Sequence, residues 1–421
     1  MPEGRGSTID KRTKTKEPRQ KTKDKRYKIK EPRTKNQEPR QKIKDKRQKI
    51  KEPRSKNQDQ GTNQSTNQST INQYNSMTKT ALVGKSFEEL KTIVSDLGMP
   101  AFTARQLAEW IYKKRIFSVD EMTNISAKNR ETLAEKYEVG RTLPVQVVES
   151  TDGTKKYLFK TEGGHFIEAV YIPEEDRATL CVSSQVGCKM GCVFCLTGRQ
   201  GFIAQLTTAE IMNQIMSIPE AEKLTNLVFM GMGEPFDNTM AMLRSLEILT
   251  ADYGYAWSPR RITVSSIGLI PALKVFLEET NCHLAISLHS PFTQDRLLLM
   301  PIEKTYPISK VLEELRKHDF SKQRRVSFEY ILFDGVNDTM RHAVELVKIL
   351  KGIDCRVNLI RFHAIPGSEL KSSAPEKMTF FRDYLTSNGV TSTIRRSRGE
   401  DIFAACGMLS TLEKEKSEAK S

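Results

Sequence analysis

The chain has 421 residues, enough for roughly three domains of about 150 residues or for one large α/β barrel with appendages. Lys and Arg number 67 against 52 Asp and Glu, a formal charge of +15, but 23 of the basic and 9 of the acidic residues fall in 1–76. That tail therefore carries +14, and the rest, with 44 basic and 43 acidic residues, is nearly neutral. No apolar run approaches the roughly 18 residues of a membrane-spanning helix, and no apolar stretch of about 7–15 residues marks a secretory signal. Seven cysteines are too sparse for a disulfide scaffold. These features point away from membrane insertion and export, and a cytoplasmic location is expected.

Residues 17–37 return as 38–58 with only Thr22/Ile43, Tyr27/Gln48 and Thr34/Ser55 differing, and TNQSTNQST follows from Thr62 to Thr70. Two such units hold almost nothing apolar to stack, so 1–76 is expected to be a disordered basic repetitive tail. Met77 opens the first segment of globular character and is an alternative start of translation. Over 77–139 a helical accessory domain is expected. Ser86-x-x-Glu89 forms a capping box ahead of Phe87, Leu90, Ile93, Val94 and Leu97, with a stop at Gly98, and Thr103-x-x-Gln106 repeats the pattern before Leu107, Trp110 and Ile111. Lys113, Lys114 and Arg115 after Trp110 suit either RNA contact or the negative end of a helix dipole.

Between Leu143 and Ile172 the period shifts to two, with turn signals at Asp152-Gly153 and Gly163-Gly164, and a β-hairpin linker is expected over 140–175. From 176 to 395 short apolar strands alternate with amphipathic stretches. Candidate strands are Leu180–Val186, Asn226–Met230, Arg261–Ser265, His283–Leu288, Val326–Phe333 and Arg356–Phe362. Such alternation argues for a parallel sheet, open or curled into a partial barrel. Gly231-Met232-Gly233-Glu234-Pro235, Ser265-Ser266-Ile267-Gly268, Ser287-Leu288-His289 and His363-Ala364-Ile365-Pro366-Gly367 sit where strands end, which is where a parallel β/α barrel builds its site. Residues 396–421 form the remaining segment.

Cys188-x3-Cys192-x2-Cys195 follows the first barrel strand. Three thiolates so spaced can hold three irons of a four-iron cluster and leave the fourth to an outside ligand. A zinc site would want a fourth local Cys or His. His165 and His283 are distant, which leaves Cys181, seven residues upstream. Both readings stay open on spacing alone.

The Cys-x3-Cys-x-Phe194-Cys pattern resembles the signature of radical S-adenosylmethionine (SAM) enzymes. RATLCVSSQVGC, GMGEP, SPRRITVSSIG, LAISLHSP and RGEDIFAACG resemble, in order and spacing, the RlmN-type adenine-C2 RNA methyltransferases over roughly Met77 to Gly407. The resemblance implies a partial (β/α)6 radical SAM barrel and a [4Fe–4S] cluster on Cys188, Cys192 and Cys195, with two SAM molecules used per turnover. Gly233 and Glu234 would meet the SAM amino group, and Ser265, Ser287, Leu288 and His289 would line the rest of its site. Many members carry Asn where this chain has His363, which can still donate and accept a hydrogen bond. Cys406 would be methylated by one SAM and attacked at its S-methyl by a radical from the second. The methylene would then add to C2 of adenine. Glu168 would act as base, and Cys181 would cleave the adduct and leave a Cys181–Cys406 disulfide. Taken alone, Glu168 reads equally as an exposed carboxylate beside a strand, Cys406 as an inert small residue, and Cys282 and Cys355 as incidental.

The implied substrates are a specific adenine of 23S rRNA and adenine 37 of tRNA. A flavodoxin or ferredoxin would donate electrons to a monomeric enzyme. Two alternatives remain at this stage. The Cfr-type C8 methyltransferases share the cluster and both reactive cysteines. A non-catalytic metal-containing RNA-binding or ribosome-assembly protein would account for the tail and the cysteine cluster, but not for the SAM-site segments.

Overall fold

The computed structural model describes residues 79–321 and 324–404, so the tail and Cys406 lie outside the described residues. The first part is helical. In α1 (Phe87–Asp96) Ser86 and Glu89 form the expected reciprocal cap, and the chain leaves through Gly98, whose φ of 65° lets its N–H reach the Ser95 carbonyl at 3.0 Å. At α2 (Thr103–Ala108) the expected second cap is absent. Thr103 is already the first helical residue and Phe102 the N-cap, because the preceding turn takes up the free amides on the carbonyls of Pro100, Ala101 and Phe102. Leu90, Ile93, Val94, Leu107, Ile111 and Tyr112 are buried, together with Leu133 of α3 (Ala127–Lys136), and β1 (Thr80–Ala81) closes this part by pairing in parallel with β2 (Tyr137–Glu138).

Of the three basic residues after Trp110, Lys114 lies over the indole, 3.5 Å from the ring centroid, and Arg115 pairs with Glu222 at 2.6 Å. Arg115 thereby links the helical part to the loop before the strand Asn226–Phe229.

Two hairpins in succession follow. The strands β3 (Gln146–Glu149), β4 (Lys155–Lys160) and β5 (Phe166–Pro173) are antiparallel, and β5 continues the pairing onto β6 (Ala178–Cys181). The expected strand from Leu180 to Val186 breaks after β6. Gln214 accepts from the Ser183 amide at 2.9 Å and donates to its carbonyl at 3.1 Å, which satisfies the backbone as it leaves the sheet. The next residues, β7 (Gln185–Gly187), pair instead with β8 (Phe202–Gln205). Then come β9 (Asn226–Phe229), β10 (Ile262–Ser266), β11 (His283–Ser287), β12 (Val326–Leu332) and β13 (Cys355–Arg361), each within a residue or two of expectation, and β14 (Thr391–Ile394), which was not expected.

The resulting sheet has ten strands in the order β14-β13-β12-β11-β10-β9-β6-β5-β4-β3, parallel from β6 to β14. The intervening helices include α5 (Thr208–Met216), α6 (Thr239–Thr250), α7 (Ile270–Glu279), α9 (Ile308–Leu315), α10 (Met340–Leu350) and α11 (Pro375–Ser387). The short α4 (Leu196–Arg199) and α8 (Thr293–Leu299) belong to loops after strand ends.

The two faces of the sheet differ in chemistry. Register puts Leu180, Leu227, Phe229, Val264, Ile286, Phe328 and Leu359 on one face, all within 1% of full burial, in the main core. Truncating any of these to Ala would cost about 2–5 kcal/mol. The opposite face carries Cys181, Thr263, Ser265, Ala285, Ser287, Ser327, Glu329, Asn358 and Thr393 in adjoining rows. A sheet covered by helices on one side and polar on the other leaves that polar side to a ligand.

Candidate active site at the strand ends

The cysteine loop is built between a hairpin and three strand ends. Gly187 at φ 71° allows β7 to approach β8 so closely that a Cβ there would sit 1.9 Å from the Gly201 oxygen, and the next amide, that of Cys188, donates to that oxygen at 3.0 Å. The Val193 amide donates to the Leu299 carbonyl at 3.0 Å. Arg199 reaches both the Val193 carbonyl, at 2.9 Å, and the Pro366 carbonyl, at 2.9 Å, which ties the loop to the turn after β13. Cys188, Met190 and Cys192 join Ile267, Phe333 and Phe362 in an apolar layer, and each of the last three follows directly on β10, β12 or β13.

Burial pushes the Cys188 thiol up to about 12 and the Cys192 thiol further, with the neighbouring sulfurs adding to both shifts. Cys188 and Cys192 thus sit in a dry site with the half-buried Cys195 beside them, and a group bound to those two thiols has to displace their protons. Among the described residues no three His, Cys, Asp or Glu side chains close on a single ion-sized point. A structural zinc site wants a fourth local Cys or His, whereas three thiolates suffice to hold three irons of a four-iron cluster. The donor set and its spacing fit the cluster.

Gly233 sits at φ 97°, and a Cβ there would meet the Gln185 side chain at 2.5 Å. Beside it the Glu234 amide donates to Gln185 Oε1 at 2.8 Å. Glu234 Oε1 accepts from the Phe236 amide and Oε2 from the Ile267 amide, both at 3.0 Å. The carboxylate therefore staples two strand ends together, with lone pairs left for an ammonium. Burial raises it to about 7, against the opposing pull of those hydrogen bonds.

Ser265 and Ser287 stand on the polar face of neighbouring strands. The Leu288 side chain points into the core, and its carbonyl accepts from Arg296 Nε at 3.0 Å, so any contribution it makes to the site is through the main chain. His289 adopts φ 54°. Its Nδ1 accepts from the Ile331 amide at 3.0 Å, which places the ring proton on Nε2, and its ring meets Phe194 edge-on with centroids 4.8 Å apart. Burial lowers His289 to about 3, so the imidazole is neutral. His363 Nε2 lies 3.0 Å from Ser397 Oγ, in a cleft of about 410 Å³ that Arg361, Lys371, Arg398 and Phe403 also line.

Cys181 is a free thiol that burial pushes up to about 11, with Arg395 pulling in the opposite direction. Glu168 departs from the exposed reading. It is 5% exposed in the middle of β5, and its Oε2 lies 3.0 Å from Lys156 Nζ. A carboxylate can be buried here because β4 supplies an ammonium on the same face. Cys282 is buried, and Cys355 opens β13 away from these strand ends.

Sequence reasoning missed Lys156 and Arg296. The Arg296 guanidinium is fully buried, ion-paired to Glu303, and donates to the carbonyls of Ile267, Ser287 and Leu288, so it clamps the ends of β10 and β11. A lone Arg among Leu297, Leu298, Leu299 and Met300 was the available signal.

Residues 182–347 match the radical SAM superfamily, and residues 80–139 match the N-terminal domain of ribosomal RNA large subunit methyltransferases. A probable dual-specificity RNA methyltransferase RlmN of Phocaeicola vulgatus is 62% identical over 338 residues, which is 80% of this chain and 97% of that protein. The chain belongs to the RlmN family. A Bacteroides fragilis RlmN protein of the same description is 60% identical over 81% of this chain and 99% of its own length, and the Syntrophus aciditrophicus RlmN is 42% identical over 77% and 94%. The crystal structure of a radical SAM methyltransferase from Sphaerobacter thermophilus superposes with a TM-score of 0.74 at 39% identity, covering 78% of this chain and 98% of that one. The family-model match begins at residue 80, after the basic tail.

Proposed function

We propose that this RlmN-family radical SAM methyltransferase methylates C2 of one adenine in 23S rRNA and of adenine 37 in tRNA. One observation supports the residue assignments. Lys156, Glu168 and Cys181 occupy the same polar face as Ser265 and Ser287, so acid–base and thiol groups share one chamber with the cofactor strand ends. Cys188, Cys192 and Cys195 hold the [4Fe–4S] cluster. Gly233, Glu234, Ser265, Ser287, the Leu288 main chain, His289 and His363 line the SAM site. When bound, the cluster and SAM supply a methyl group for Cys406 and a radical that takes a hydrogen atom from that S-methyl.

The chain's own groups complete the reaction. The Cys406 methylene becomes bonded to C2, and the resulting adduct would give up one electron to the oxidised iron–sulfur cluster held by Cys188, Cys192 and Cys195. Glu168 takes the C2 proton. The Cys181 sulfur, having given up its proton, then attacks Cys406 Sγ, so that an S–S bond forms as the S–CH2 bond breaks. The released methylene takes up a proton and becomes the methyl group. Two electrons from an external reductant reopen the Cys181–Cys406 disulfide. A neutral, buried thiol is slow to attack, and Arg395 beside Cys181 favours its thiolate. A flavodoxin or ferredoxin feeds the cluster, and the enzyme works as a cytoplasmic monomer. In support, no helix among the described residues is long and apolar enough to cross a membrane.

The test is nucleoside mass spectrometry of rRNA and tRNA after anaerobic reaction of the reconstituted enzyme. The expected product is 2-methyladenosine in both RNAs. Formation of 8-methyladenosine in its place would overturn the C2 assignment.

A further inference from the structure

Lysine seldom occupies a core position, yet Lys156, the second residue of β4, is 1% exposed. Its neighbour Lys155 points the other way and pairs conventionally with Glu149 and Glu220. Lys156 Nζ instead lies 3.0 Å from Glu168 Oε2 and donates to the Phe403 carbonyl at 2.6 Å.

Stability alone does not account for the pair. Removing two charges from water costs several kcal/mol per ion, and apolar residues of the same volume commonly serve as well or better. The placement is more telling. Register aligns Lys156, Val170 and Cys181 in one row across β4, β5 and β6, with Glu168 one step along the same face. The third group in contact, Phe403, lies three residues before Cys406 in the chain. The segment carrying Phe403 is pinned to the β3–β4 turn independently. Asp152 Oδ2 accepts from the Gly399 amide at 3.0 Å, Asp401 Oδ1 accepts from Ser150 Oγ at 2.5 Å, and Asp401 Oδ2 accepts from the Thr151 amide at 3.1 Å.

We infer that Lys156 is the positioning residue of the Glu168 base. Its ammonium fixes the carboxylate on the polar face and, through the Phe403 carbonyl, sets its register with the chain that leads to Cys406. This rests on the reading of Glu168 as the group that takes the C2 proton. An ammonium suits the task because its three donors can serve a carboxylate and a carbonyl at once, whereas a methionine of the same length can serve neither. Loss of Lys156 therefore strikes adduct breakdown. Methylation of Cys406 continues, because Asp152 and Asp401 still hold its segment.

The test uses the full-length, cluster-loaded enzyme with SAM, reductant and a tRNA substrate, and compares Lys156→Met, Lys156→Arg, Glu168→Gln and the Met/Gln double variant. Intact-protein mass spectrometry reads Cys406 methylation, and denaturing gels read the protein–RNA adduct. Lys156→Met is expected to methylate Cys406, accumulate adduct and release product at least about tenfold more slowly, the scale of a lost hydrogen bond to a charged group. Lys156→Arg is expected to restore release to within about threefold, since it keeps a cation able to bond both acceptors. The double variant should be no slower in adduct release than Glu168→Gln alone, because the positioning role assigned to Lys156 in that step runs through the carboxylate.

Wild-type release by Lys156→Met, no recovery with Arg, or a further loss in the double variant would each overturn the inference. Should the Met chain fail to fold, Lys156→Gln carries the same expectation. If Glu168→Gln itself accumulates no adduct, the assignment of the base fails, and that result is distinct from failure at Lys156.

Discussion

The parallel and antiparallel parts of the one sheet place chemistry differently. From β6 to β14 the working groups stand at or beyond strand ends, in Gly233-Glu234, Ser287-Leu288-His289 and the cysteine loop, and backbone turns determine their positions. In β4 and β5 the groups of interest, Lys156 and Glu168, sit in the bodies of strands, and cross-strand register determines theirs. Strand-end sites tolerate varied loops but depend on glycine at close approaches. Sites within strands tolerate neither a slip nor an uncompensated charge.

Substitutions can break this comparison at several points. The largest effect belongs to Cys192→Ser, which removes one cluster ligand. Iron–sulfur absorbance should fall sharply, and both Cys406 methylation and RNA methylation should drop below detection, about 10³-fold or more, if the cluster is what the strand ends support. Gly233→Ala comes next. The added methyl meets Gln185 at 2.5 Å on a left-handed backbone, at a cost of about 2–4 kcal/mol. A lower melting temperature and weaker SAM binding by calorimetry are expected, with the Lys156–Glu168 pair untouched.

A third prediction concerns pH. His289 titrates at about 3 when folded, against 6.5 for a free imidazole. As pH falls, the unfolded chain binds its proton first. The contribution to stability is therefore complete above about 6.5 and is lost progressively towards 3. Asn tolerates the left-handed backbone and offers an acceptor but cannot titrate. His289→Asn should flatten the fall in unfolding free energy between pH 7 and pH 5 by about 2 kcal/mol, read from denaturant titrations. The smallest effect is expected from Asp401→Ala. It releases one tie between the β3–β4 turn and the segment before Cys406, and methylation of Cys406 should slow by about fivefold with cluster absorbance unchanged.

Most of the parallel half was legible because buried parallel strands are written as apolar runs, and NLVF, ITVSS, HLAIS and VSFEYIL lead into Gly, Ser or His clusters. The strand β14 escaped notice because Thr391-Ser392-Thr393-Ile394 is an edge with alternate residues exposed and little apolar signal. Thr103 misled because a capping-box spelling says nothing of whether the preceding turn already satisfies the amides. Periodicity reads charges as solvent-facing, so Lys156, Glu168 and Arg296 were invisible as buried groups, and only the resemblance singled out Glu168. The chemistry assigned to Cys406 rests on sequence alone.

The ties between Asp401 and Ser150 and between Phe403 and Lys156 join residues about 250 positions apart. A chain growing on the ribosome can build the hairpins and the parallel strands long before it contains their last partner. Lys156 and Glu168 must therefore spend much of synthesis without the C-terminal segment, and a barrel that is nearly finished still lacks the proposed methyl carrier. Synthesis itself thus acts as a safeguard. Because Cys406 is the proposed methyl carrier, a chain truncated before it is expected to be inert towards RNA rather than wrongly active.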